Sequence, residues 1–75
     1  MIGIPYTFNG RKRIIILSYK TYIGSYDYDT YNKASLDIIE IKDLEIKGPI
    51  LRKSSKESLE EMLIEGIIKI YFSKI

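Results

Sequence analysis

The chain has 75 residues, a net charge of +2, and no Cys, His or Trp. At that length folding buries only about 60% of the surface that the unfolded chain exposes. Neither a disulfide nor a Cys/His zinc site is there to add stability. These exclusions point to one small domain, residues 1–75, in the cytoplasm or a virion, that gains stability from ion pairs and association.

The composition is uneven, with sixteen Ile, no Val, nine Lys to three Arg, no Gln, and Asn only at Asn9 and Asn32. An AT-rich genome favours Ile, Lys, Tyr and Asn codons, but low Asn argues against that account alone; loss of thermolabile amides with high Lys is a thermophile pattern, and the expected source is a thermophilic archaeon or a virus or plasmid of one. The sequence lacks the run of about 18 apolar residues that a membrane-spanning helix needs. Its first charges follow the first apolar stretch, the reverse of a signal peptide. Residues 1–33 carry five bases against two acids, and residues 34–75 seven bases against eight acids, so the basic character lies in the first part.

Residues 2–8 are short, apolar and aromatic, and Pro5 marks them as an edge strand or a strand start. Asn9-Gly10 readily takes the two positive φ values of a type I′ turn. The following run, Arg11 to Ile23, centres on Ile14-Ile15-Ile16-Leu17 and predicts a strand covered on both faces for part of its length. A hairpin of 2–8 with 11–22 results. Residues 24–33 read as a connection or a strand extension. Leu36 to Ile46 alternates with a slip at Asp43-Leu44, which fits either one bulged strand or two short strands, and Gly48-Pro49 ends it.

Ser54 with Glu57 forms a capping box, followed by Leu59, Met62, Leu63 and Ile67 at helical spacing. Gly66 is placed to end that helix, leaving Ile68, Ile70 and Phe72 on one face of a last strand. The alternative is a helix that continues to about residue 74, with an end apolar nearly all round. The expected fold is therefore α+β: a small antiparallel sheet of four to five strands with one helix, about 55–65, packed on one face. The expected core comprises Leu59, Met62 and Leu63 from the helix with Ile14, Ile16, Ile39, Ile41, Ile68 and Ile70 from the sheet.

Reactive chemistry is sparse. Asp27-x-Asp29 opens like a calcium loop, but Tyr31, Asn32 and Ile38 stand where an EF-hand needs an oxygen ligand, Gly and Glu. Glu40-Ile41-Lys42 and Glu45-Ile46-Lys47 resemble the E-x-K half of a magnesium nuclease motif, with Asp27 or Asp29 upstream, yet alternating Glu and Lys is also the wet face of any amphipathic strand. No catalytic residue, metal or cofactor is expected, and the protein is read as a non-enzyme.

What remains is contact chemistry. Five tyrosines lie between Tyr19 and Tyr31. In an extended segment Tyr22, Tyr26 and Tyr28 share one face, and they are the candidate partner-binding residues of a small interaction or accessory protein, with a homodimer as the expected assembly. Arg11, Lys12 and Arg13 at the hairpin tip, with Arg52 and Lys53 before the helix, are the candidate nucleic-acid contacts of an alternative reading. Asp27 and Asp29 beside the tyrosines argue against base stacking by Tyr26 and Tyr28. Finally, a strand pair followed by a Ser-started helix, Leu36 to Ile70, is similar to the small Pcc1-like subunits of tRNA-modifying KEOPS complexes. That resemblance implies an accessory subunit that dimerises through these elements; those subunits have a further helix after their first strand, for which residues 24–34 leave little room.

Overall fold

The computed structural model describes residues 1–41 and 56–73, with side chains described for 1–41 and 59–73. The chain divides into two compact units, Met1–Glu40 and Ile41–Ile75, taken separately below. The fold is α+β, and the described residues form a four-stranded mixed sheet and a C-terminal helix.

The first unit holds β1 (Ile2–Phe8), β2 (Arg11–Ser18), β3 (Thr21–Asp27) and β4 (Asp37–Ile38), in the sheet order β3-β2-β1-β4. β1 and β2 pair antiparallel from Ile2↔Leu17 to Phe8↔Arg11. The turn between them takes positive φ at Asn9 (54°) and Gly10 (73°), as the Asn-Gly pair predicts for a type I′ hairpin.

The expected strand from Arg11 to Ile23 is in fact two strands. β2 ends at Ser18, and the chain reverses through Tyr19-Lys20 so that Ser18 pairs with Thr21. Tyr19 takes φ 57° there. Gly, Asn or Asp usually mark such a turn, and their absence hides it among aromatic and β-branched neighbours. Gly24 to Asp27, expected in a connection or a strand extension, completes β3 and so takes the second form.

β4 departs from an all-antiparallel sheet. It lies parallel to β1, and the amides of Asp37 and Ile39 donate to the carbonyls of Met1 and Gly3, both at 2.9 Å. Of the expected strand from Leu36 to Ile46, only Asp37–Ile38 is strand within the described residues, and the slip at Asp43-Leu44 lies outside them.

Ile14, Ile15, Ile16 and Leu17 are all fully buried, so β2 is covered on both faces. At roughly 1.5–3 kcal/mol for each large apolar side chain removed from water, this run dominates the sheet's stabilisation. On the Ile14/Ile16 face, Gly3 is the device that lets the neighbours close in. A Cβ there would lie 2.7 Å from Ile14 Cδ1 and 3.2 Å from both Leu36 Cδ1 and Ile38 Cδ1.

The second unit holds α1 (Lys56–Ser73). The helix passes through Gly66 instead of ending there, which is the alternative considered for residues 67–74. Gly in a helix interior costs about 1 kcal/mol. Continuing the helix aligns Ile64, Ile67 and Tyr71, the buried residues among the described side chains of α1, at helical spacing on one stripe. β-branched propensity at Ile67-Ile68 and Ile70 is weaker than that burial. The buried stripe also corrects the expected core: Leu59 and Leu63 are half-buried and Met62 is exposed. Ser54 and its capping box fall outside the described residues.

Candidate functional site

Register decides where the tyrosines point. In the β2–β3 ladder Leu17 pairs with Tyr22, but Ile16 pairs with Gly24, so Ile23 is the extra residue of a β-bulge. Paired residues share a face of the sheet. Tyr22 therefore lies on the Leu17/Ile15 face, whereas Tyr26, opposite Ile14, lies on the other. The expectation that Tyr22, Tyr26 and Tyr28 form one row fails for this reason, because a bulge inverts the alternation that the sequence spacing assumes. Tyr28 remains with Tyr26: its amide donates to the Lys12 carbonyl at 3.1 Å and extends the ladder one step past β3.

The bulge turns an exposed apolar ridge around this edge of the sheet. Tyr19 is 91% exposed, Tyr22 45%, Ile23 46% and Tyr26 40%. Tyr26 lies over Gly24, where a Cβ would meet its hydroxyl oxygen at 2.8 Å. Its ring also packs on Tyr31, with centroids 4.9 Å apart.

Among the described residues β3 is an edge strand, yet two of its outward carbonyls are guarded. Since Tyr28 bonds Lys12 across the ladder, alternation turns Ser25 and Asp27 outward. The Ser25 carbonyl accepts from Arg13 Nη2 at 3.2 Å, and the Asp27 carbonyl accepts from the Tyr31 amide at 3.2 Å. Strand addition along this stretch would have to displace both donors.

The basic tip does not act as one unit. Arg13, opposite Tyr6 and Asp27, faces the Tyr22 side, where its Nε donates to the Tyr6 hydroxyl at 3.4 Å and the Tyr6 and Ser25 hydroxyls are themselves hydrogen-bonded. Lys12 faces the other way and sets its ammonium 4.1 Å from the centre of the Tyr28 ring. Lys33 does the same at 4.4 Å and also donates to the carbonyls of Tyr28 and Tyr31. Arg11 is exposed at the turn. Arg52 and Lys53 lie outside the described residues.

Sequence reasoning missed Tyr19, Ile23, Tyr31 and Lys33 as members of these surfaces. The signal for Lys33 was absent because its approach to Tyr28 depends on how the turn after β3 closes. Among the described residues no group of three or more Asp, Glu, His or Cys side chains is placed to hold a metal ion, so Asp27, Asp29 and Glu40 are not gathered. Among the same residues no helix is long and apolar enough to cross a membrane. No protein-family model, no curated protein and no solved structure matches this chain.

Proposed function

We propose that this chain is a non-catalytic interaction protein that engages a protein partner, a second copy of itself or another chain, through the side chains of the β2–β3 hairpin. One observation carries the proposal: Tyr19, Tyr22, Ile23 and Tyr26 stay exposed along one short hairpin, and Tyr19 does so from a strained backbone. An L-residue in the left-handed region costs roughly 1–2 kcal/mol. At 91% exposure the Tyr19 ring recovers almost none of that by packing within the chain. Strain kept at an exposed aromatic is a functional signature, and tyrosine is a preferred anchor of protein interfaces. The guarded carbonyls of β3 favour contact by side chains over strand addition.

The proposed setting is the cytoplasm or virion of a thermophilic archaeon or its mobile element, supported by the Ile- and Lys-rich, amide-poor composition. A melting midpoint below about 60 °C would count against the thermophilic assignment. For the interface, light scattering across protein concentrations, and affinity purification from the native host, are compared between wild type and Tyr19→Ser/Ile23→Lys. Loss of the higher-mass species or of the co-purifying chain, with unchanged circular dichroism, is the expected result. A double variant that assembles and co-purifies as wild type does would refute the proposal.

A further inference from the structure

In sequence, Tyr26 and Tyr28 are flanked by Asp27 and Asp29; in space their company is different. Asp27 pairs with Arg13 and so lies on the opposite face of the sheet. Tyr28 instead has two ammonium groups against its ring, Lys12 at 4.1 Å and Lys33 at 4.4 Å from its centre. Beside it Tyr26, 40% exposed, is braced from below by Gly24 and from the side by Tyr31, at 4.9 Å between ring centroids. Three aromatic rings and two cations thus gather on one face of β3 and the turn that follows it.

We infer that this surface binds single-stranded nucleic acid. The combination has two halves that the ligand matches. Flat aromatic faces stack on bases of any sequence, and ammonium groups along the same path neutralise phosphates. The Tyr26 ring is held by its neighbours before any ligand arrives, so little ordering is lost on stacking. Lys12 is exposed and is held beside the rings by Tyr28. Lys33 spends hydrogen bonds on the carbonyls of Tyr28 and Tyr31, which fixes its charge beside the rings. Asp29, exposed in the same turn, opposes a phosphate, leaving two ammonium groups against one carboxylate. The site shares Tyr26 with the proposed protein interface but includes neither Tyr19 nor Ile23, so substitutions at those two residues test the interface without touching this site.

The test is fluorescence anisotropy of a short labelled oligothymidylate titrated with the full chain at several salt concentrations. Wild type is expected to bind saturably at low salt. Lys12→Ala should flatten the log–log salt dependence by about 0.7, the contribution of one phosphate contact on a single strand. Tyr26→Ala should weaken binding roughly 5- to 160-fold and leave that slope unchanged, since stacking releases no counterions. Tyr19→Ser should bind as wild type does. Circular dichroism confirms that each variant is folded. The inference is overturned by absence of saturable binding at low salt, by wild-type affinity in both Lys12→Ala and Tyr26→Ala, or by polyglutamate competing as well as oligothymidylate, which would assign the surface to acidic protein partners.

Discussion

Gly3 offers a sharp test of how the sheet is packed. It is the second residue of β1, opposite Ile16 on one side and Ile38 on the other. Replacing it with Ala adds a Cβ 2.7 Å from Ile14 Cδ1, closer than real Cβ contacts come. Leu36 and Ile38, at 3.2 Å, have room to give, since Ile38 is 40% exposed and Leu36 only half-buried. Ile14 is fully buried, so its terminal methyl can turn aside only into packed neighbours. Forcing extra volume into such a site costs roughly 1–3 kcal/mol, and replacing Gly by Ala in a strand returns about 0.5–1 kcal/mol of backbone entropy. The net expectation is a loss of about 1.5 kcal/mol. For a domain of this size that lowers the melting midpoint by roughly 6–12 °C. The assay is urea and thermal unfolding followed by far-ultraviolet circular dichroism and tyrosine fluorescence. The cause is isolated by Ile14→Val, which deletes Cδ1 at its own cost of about 0.5–1.5 kcal/mol. In that background Gly3→Ala should cost under about 0.5 kcal/mol, giving a coupling near 1 kcal/mol in the double-mutant cycle. Equal costs of Gly3→Ala in the two backgrounds would refute the argument that Ile14 occupies the space above Gly3.

Three further substitutions test other parts of the fold. Gly10→Ala meets nothing within 4 Å, so its cost comes from φ +73° alone and should be about 1 kcal/mol by urea unfolding. Tyr19→Gly should do the reverse, raising stability by about 0.5–1 kcal/mol through relief of the positive φ while weakening any assembly through the hairpin; a variant that is both less stable and fully competent in light scattering would contradict both halves. Arg13→Met keeps the aliphatic stem but removes the donors to the Tyr6 hydroxyl and the Ser25 carbonyl. It should cost about 1–2 kcal/mol and, by opening the β3 edge, increase self-association in sedimentation velocity.

Local chemistry was sufficient for part of this protein. Asn9-Gly10 dictates a turn because few other pairs accept two positive φ values, and Ile14 to Leu17, a short β-branched run directly after that turn, favours a strand buried on both faces. The absence of Cys and His fixes which stabilising devices are missing. Other features are decided by contacts between residues distant in sequence. Helix α1 continues through Gly66 because burial of Ile64, Ile67 and Tyr71 outweighs local preference. β4 joins β1 in parallel through bonds from Asp37 to Met1 and from Ile39 to Gly3. The bulge at Ile23 exists only as a mismatch between two strands, so no periodicity within one strand announces that Tyr22 leaves the Tyr26 face. The same holds for the charge around the tyrosines: sequence neighbours supply the carboxylates of Asp27 and Asp29, while strand pairing and turn closure bring Lys12 and Lys33 to Tyr28. Side chains that follow one another along a strand point to opposite faces, so the electrostatic surroundings of a strand residue belong to the sheet, and only the sheet reveals them.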